Sequence, residues 1–189
     1  MANDAFRVEP LAQDRVKDFW KLHSDEVDHG WCCCTAWWAP SFKVFSKRTA
    51  EENKAEREKL FAAQEYDGYI LYEDNEPIGW CQCGHRNRLA WLCQYYEIDP
   101  IEDENEIQAI TCLFLRPSHR GKGLAKVMLQ GVLHHLRNDG KKRVQAFPRS
   151  GDNRPLGEIW TGPTKLFTKA GFEKIGGSDE MPILELSLT

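Results

Sequence analysis

The residues best suited to chemistry crowd into one stretch, Arg116-Pro117-Ser118-His119-Arg120-Gly121-Lys122-Gly123-Leu124-Ala125-Lys126. Arg116, Arg120, Lys122 and Lys126 supply positive charge. Gly121 and Gly123 remove the side chains that would keep an anion away from the main chain. The first N–H groups of a helix have no internal partner, and the helix dipole puts partial positive charge beside them. A helix beginning at these glycines is therefore a ready cradle for phosphate. His119 lies in the same turn, where it could add a donor.

The cysteines and tryptophans form a second constellation. Cys32-Cys33-Cys34 and Cys81-Gln82-Cys83 each contain a C-x-C pair. Four thiolates could in principle surround a zinc ion, although structural zinc sites more often use C-x-x-C, and on a strand Cys81 and Cys83 would merely share a face. Buried thiols are the favoured reading, beside a metal site and a reactive thiol, and no metal is assigned. Trp31, Trp37 and Trp38 cluster with the first cysteines. They read equally as the wall of an acceptor pocket, each good cation–π contact giving about 0.5–2 kcal/mol, or as a minor core under a long loop.

The elements that must position these groups can be read from periodicity. Ile107 to Leu115 is β-branched and apolar, and Pro117 cannot continue a ladder, so a strand ends near Arg116. Beyond the turn Ala125, Met128, Leu129, Val132, Leu133 and Leu136 follow helical spacing, with Lys126, Gln130, His134 and Arg137 opposite. Asn138-Asp139-Gly140 caps that helix, and Val144 to Phe147 is the next strand. Upstream, Phe6 to Leu11 reads as a strand, and Val16, Phe19, Trp20 and His23 share a helical face. Residues 27–48 show neither period, which predicts an ordered loop or a broken helix. Thr49 with Glu52 fits a capping box opening a helix over residues 50–65, with one narrow apolar face and much solvated surface. Tyr69–Tyr72 and Ile78–Cys83 predict an antiparallel hairpin turning at residues 73–76. An acidic loop follows over residues 97–106. Thr164–Lys169 is a short helix stopped by Gly171, and Ile183–Leu188 a closing strand.

At 189 residues the chain is expected to form one domain over residues 1–189. With 41% apolar and 29% charged residues, no membrane-length apolar run and no leader-like start, the composition predicts a soluble, cytoplasmic protein. A net charge of −4 argues against nucleic-acid binding, because a phosphate-backbone binder normally carries a basic domain or stripe. Seven cysteines without an export signal are expected to be free thiols.

Arg120-Gly121-Lys122-Gly123-Leu124-Ala125 resembles the Arg/Gln-x-x-Gly-x-Gly/Ala signature of the GCN5-related N-acetyltransferase (GNAT) superfamily. Leu113 to Pro117 is similar to its preceding strand, and Gly171-Phe172 to its closing dipeptide. Neither a G-x-G-x-x-G turn nor a following Gly-Lys-Ser/Thr is present. The resemblance covers residues 66–175 well and the first third loosely. It implies an α+β fold, a mixed and mostly antiparallel sheet flanked by helices in three layers, with splayed central parallel strands ending at Leu115 and starting at Val144. It implies acetyl-coenzyme A as acetyl donor, held by Leu113, Phe114, Leu115, Arg120, Gly121, Lys122, Gly123, Leu124, Ala125 and Lys126. Backbone groups of Leu113 and Leu115 would bind the pantetheine arm. The implied reaction is direct attack by the amine of a small-molecule acceptor. A lysine-type amine is only about one part in a thousand neutral at pH 7, so a base is needed. Glu106 is the residue assigned to that role, with Glu97 and Asp99 nearby and a solvated acidic loop as the alternative reading. Two departures from the family stand out. Phe167 occupies the position where many relatives carry a tyrosine that protonates the leaving thiolate. The strand at Val144 also lacks the glutamate used by some protein-terminus acetylases, and Asn153 is at best a stand-in for a family asparagine. A non-catalytic coenzyme A sensor and a zinc-stabilised interaction module built on the C-x-C pairs are the competing classes. The oligomeric state, a homodimer among the options, is not fixed by the sequence.

Overall fold

Hairpin and strand signals assemble into a seven-stranded mixed sheet in the computed structural model, which describes residues 5–24, 30–98, 107–149 and 160–189. In chain order the elements are β1 (Phe6–Pro10), α1 (Val16–Ser24), α2 (Phe42–Phe45), α3 (Ala50–Ala62), β2 (Tyr69–Glu73), β3 (Glu76–His85), α4 (Ala90–Tyr95), β4 (Ile107–Leu115), α5 (Leu124–Asn138), β5 (Arg143–Ala146), α6 (Thr164–Thr168), β6 (Glu173–Gly177) and β7 (Pro182–Ser187). The sheet order is β1-β2-β3-β4-β5-β7-β6, and every neighbouring pair is antiparallel except β4 with β5.

Local chemistry accounts for the boundaries. Asp74 and Asn75 both take positive φ (47° and 72°), the geometry of a two-residue hairpin turn, and join β2 to β3. Thr49 accepts from the Glu52 N–H at 3.2 Å while the Glu52 carboxylate accepts from the Thr49 N–H at 2.8 Å, so the predicted capping box is complete. Gly140 (φ 68°) and Gly171 (φ 93°) stop α5 and α6 as expected.

Alternation along β3 sends Cys81 and Cys83 to one face of the sheet and Trp80 and Gln82 to the other. On the first face Leu124, Met128, Leu129, Val132, Leu133 and Leu136 of α5 pack with Cys81, Cys83, Ile110 and Val144. On the second, Phe19 and Leu22 of α1 and Phe61 of α3 enclose Trp80, Cys34 and Cys112. Each such buried side chain contributes about 1.5–3 kcal/mol. A third cluster, Trp37, Leu89, Trp91, Leu92, Ala109, Phe147 and Ile183, lies at the open end of the sheet.

The aperiodic segment is the ordered, broken one expected: residues 30–48 hold two 3-10 turns, Gly30–Cys32 and Ala36–Trp38, followed by the single turn of α2. Three features depart from the sequence reading or were absent from it: α4, β6 and the buried face of α3. The sequence pattern did not show α4, and Gly176 and Gly177 of β6 looked like a turn rather than an edge strand. The face that α3 buries is Asn53, Arg57 and Phe61, two of them polar, where a narrow apolar face was expected. Of the acidic stretch only Glu97 and Ile98 can be placed; Asp99, Glu106 and Asn153 lie outside the described residues.

Candidate functional site

β4 and β5 pair in parallel only from Ile107–Ile110 against Arg143–Ala146. β4 runs on to Leu115 without a β5 partner, which opens the sheet beside Thr111–Leu115. The gap is not bare. The Leu113 N–H, expected to serve pantetheine, donates to the Trp160 carbonyl at 2.7 Å, and the Leu115 carbonyl accepts from Arg120 Nε at 2.9 Å. A backbone amide left without a ladder partner is costly, so a passing carbonyl satisfies it. The expectation of free main-chain groups at both residues is corrected accordingly.

The turn after β4 is built as the sequence indicated. Gly121 and Gly123 take positive φ (75° and 79°), where an L side chain is strained, and a Cβ on either would meet nothing within 4 Å. Their surroundings therefore stay open to an incoming group. α5 starts at Leu124 with no side chain capping it, and Lys122 and Lys126 are exposed. Two other basic residues of the stretch are spent on structure. Arg116 Nη2 donates to the Lys21 carbonyl at 3.4 Å, tying α1 to the strand end. His119 has Nε2 3.0 Å from Glu73 and Nδ1 2.9 Å from Ser118 Oγ, so both its nitrogens are engaged outside the glycine turn.

On the α1 face, β4 forms one wall of a cavity of about 220 Å³. Cys112–Leu115 and Arg120 line one side; His23, Cys32 and Cys34 line the floor; Trp31, Trp37, Phe42, Phe45 and Trp160 complete it. Trp31 stacks on Phe45 with centroids 5.1 Å apart, and Trp37 packs on Trp91 at 4.5 Å and Trp160 at 5.9 Å. Trp38 is turned away, its ring 5.6 Å from the Arg57 guanidinium, and takes no part in the lining. The loop carrying these residues is fixed from two sides. A Cβ on Gly30 would sit 2.2 Å from the His23 carbonyl oxygen, so only glycine lets the loop pass α1. Asn53 of α3 donates to the Trp31 carbonyl at 3.1 Å and accepts from the Thr35 hydroxyl at 3.1 Å.

The titratable groups here behave unlike surface residues. Burial pushes His23 down to about 3, and its Nδ1, 2.9 Å from the Phe19 carbonyl, carries the proton of a neutral ring. Burial pushes the Cys32 thiol up to about 12 and Cys33 to about 11. Cys34 moves the other way, held below the ordinary thiol value by the Cys112 thiol, which hydrogen-bonds it, and by the charge of Arg57. No carboxylate lines the cavity among the described residues. Phe167 is fully buried, its ring reaching Gly162 beside Leu113, so no phenol stands there. Glu97 is exposed and has no place in the cavity lining. The two C-x-C pairs are on opposite faces of the sheet, and no group of three or more His, Cys, Asp or Glu side chains among the described residues could hold a metal ion. The zinc-module reading fails on that arrangement.

A parallel strand pair opening beside a glycine turn and a long helix defines an acyl-coenzyme A fold, and sequence agrees. Residues 31–172 match the Acetyltransferase (GNAT) family, and the chain belongs to that family. No curated protein matches it in sequence. Among solved structures, the aminoglycoside acetyltransferase AAC(6')-Ib in complex with paromomycin and acetyl-CoA superposes with a TM-score of 0.61 at 18% identity, covering 97% of this chain and 94% of that one. An N-acetyltransferase from Staphylococcus aureus Mu50 gives 0.55 at 14% identity, covering 97% and 99%. YncA of Salmonella typhimurium, solved with its cofactor acetyl-CoA, gives 0.53 at 15%, covering 98% and 95%. At these identities the likeness is one of fold.

Proposed function

We propose that this protein is an acetyl-coenzyme A dependent N-acetyltransferase acting on a small acceptor that carries an amine. The observation that carries the reading is that the unpaired end of β4, Thr111–Leu115, both lines the aromatic cavity and leads directly into the open glycine turn. Gly121, Lys122, Gly123, the N–H groups of Leu124 and Ala125 and the exposed Lys126 ammonium would hold the pyrophosphate, the Lys126 N–H being already given to the Gly123 carbonyl at 3.0 Å. Leu113, Phe114, Leu115 and Arg120 would flank the pantetheine arm, with the Trp160 carbonyl displaced from the Leu113 amide or shared with it. The coenzyme supplies an activated acetyl thioester, and the amine attacks it directly.

The chain's own residues do the rest. Trp31 and Trp37 offer π faces to an arriving ammonium and exclude water around it. Desolvation in such a cavity lowers the amine's affinity for its proton, which raises the neutral fraction. Glu106, next to Ile107 in sequence, is the base we assign; full activity and an unchanged pH profile in Glu106→Gln would remove it from that role. With Phe167 in place of a phenol, the departing thiolate leaves without a tyrosine acid. The first test is the melting temperature with acetyl-coenzyme A, coenzyme A or ATP. A ligand at about 100 times its Kd adds about 2.7 kcal/mol, and a midpoint raised by the coenzymes but not by ATP supports the reading. No response to either coenzyme refutes it.

A further inference from the structure

We infer that the acceptor is an aromatic monoamine, a compact ring system with a single amino group, whose rings lie among the aromatic side chains of the cavity and whose nitrogen donates to His23 Nε2. The inference rests on the acetyl-coenzyme A reading above and names the class of compound that the cavity takes.

Size and lining set the class. Small-molecule sites usually enclose about 300–1,000 Å³, and this cavity encloses about 220 Å³. A compact ring system fits that space, and an oligosaccharide does not. The wall rings already pack against one another: Trp31 on Phe45 (5.1 Å, 25° between planes), Phe42 on Phe45 (6.3 Å) and Trp37 on Trp160 (5.9 Å). These are separations at which aromatic pairs attract, so the lining is formed before any ligand arrives, and a guest ring extends it. Trp31 and Phe42 also stay 39% and 60% exposed while lining the cavity. Aromatic surface left in water beside a cavity regains burial when an apolar ligand enters. Charge narrows the class further. Among the described lining residues Arg120 alone carries a formal charge, and that charge is positive. A π face can answer a single ammonium, whereas the further charges of a polyamine would meet a like charge.

His23 fixes where the nitrogen sits. The residue is 8% exposed and lines the cavity. Its ring is clamped, stacked on Phe19 at 4.0 Å and edge-on to Trp80 at 5.9 Å. A carbonyl can only accept, so the Nδ1 that lies 2.9 Å from the Phe19 oxygen carries the proton and Nε2 offers a lone pair. No hydrogen bond among the described residues occupies Nε2. Nor is Nε2 sealed in the interior, as the unpaired Nε1 atoms of Trp37 and Trp80 are. An acceptor left open on the wall of an apolar cavity calls for a donor, and an amine N–H supplies one.

Such a contact leaves the lone pair of the amine free. The nitrogen forms its bond to the thioester carbonyl carbon, the C–S bond breaks with its electron pair going to the coenzyme sulfur, and the proton lost by nitrogen passes to the base. His23 holds the amine and keeps no proton, since burial pushes it down to about 3.

The test offers the full chain 2-phenylethylamine, tryptamine, spermidine or paromomycin at saturating acetyl-coenzyme A and reads each acetylated product by mass spectrometry, with the coenzyme thermal shift recorded on the same protein. A kcat/KM about tenfold or more higher for an aromatic monoamine than for either polycation supports the inference. Equal or better use of a polycation overturns it, as does coenzyme binding without acetylation of either aromatic amine; both results leave the coenzyme site standing. Absence of coenzyme binding overturns this inference and the transferase reading together. Two variants test the named contacts with the better aromatic acceptor. His23→Phe keeps a ring in place and removes the acceptor atom, so kcat/KM should fall by about threefold to tenfold with the coenzyme shift retained, and a wild-type value overturns the contact. Phe42→Ala, at an exposed wall position, should raise KM several-fold and leave kcat unchanged. If His23→Phe does not fold, Phe42→Ala decides, and an unchanged KM overturns the placement of the ring.

Discussion

Gly123 and Gly140 provide a matched pair for testing the phosphate turn. They flank the same helix at opposite ends, both take positive φ (79° and 68°), and a Cβ at either meets nothing within 4 Å. Leucine at either position should therefore cost the same thing, the strain of a left-handed L residue, about 1–2 kcal/mol. For a chain of this size that lowers the melting temperature by about 2–8 °C in each variant. Ligand response should separate them. At about 100 times Kd, acetyl-coenzyme A adds about 2.7 kcal/mol, or about 5–11 °C, to the wild type and to Gly140→Leu. If the leucine side chain in Gly123→Leu weakens binding about a hundredfold, the same concentration equals Kd and adds only about 0.4 kcal/mol, about 1–2 °C. Differential scanning fluorimetry on the three proteins, with and without ligand, reads both effects. Equal ligand shifts in the two variants would show that Gly121-Lys122-Gly123 is a helix start and nothing more.

Other consequences follow from single interactions. Thr49→Ala breaks the side-chain half of the capping box at α3 and should cost about 1 kcal/mol in denaturant unfolding; no loss would mean that the box is idle. His23, pushed down to about 3 by burial, binds a proton more weakly in the folded chain than in the unfolded one. Its contribution is complete above pH 6.5 and is lost as pH falls toward 3, by up to about 1.4 kcal/mol per pH unit. Stability of His23→Phe should fall less steeply than wild type between pH 6.5 and 5, and parallel curves would count against a buried neutral ring. Gly131→Ala would place a Cβ 2.4 Å from Val8 Cγ2, forcing β1 off α5. Overpacking of about 1–3 kcal/mol should outweigh the alanine's helix gain of about 1 kcal/mol, and Val8→Ala in the same chain should recover the difference.

The parts of this protein that were legible in its sequence are those where one local rule decides. β4 has the bounds that its β-branched run and Pro117 dictate, α5 starts at the glycines, and Thr49 and Glu52 form their box because three-residue spacing alone suffices. Cys81 and Cys83 share the face toward α5, as a period of two requires. What stayed hidden depends on contacts between distant segments. Leu113 and Trp160 are far apart in sequence, and nothing local shows that the amide of the first meets the carbonyl of the second. Trp37 and Trp38 are neighbours, yet a 3-10 turn sends only the first into the cavity. Gly176 and Gly177 imitate a turn and so hide the edge strand β6 to which they belong.

The α3 face is the most instructive of these. Asn53, Arg57 and Phe61 follow one another at four-residue steps, and with lysines and glutamates all around them the first two looked like part of a solvated surface. In the fold Asn53 pins the loop through Trp31 and Thr35, while Arg57 enters a box of aromatic rings. Desolvating a guanidinium is unfavourable by several kcal/mol, and the faces of four rings together with the Gln82 amide oxygen offset part of that cost. The loop with its two consecutive left-handed cysteines and the polar face of α3 are thus parts of one arrangement, joined through Asn53. Spacing along α3 cannot tell such a face from a solvated one, because what buries Asn53 and Arg57 is the loop and the aromatic rings of other elements.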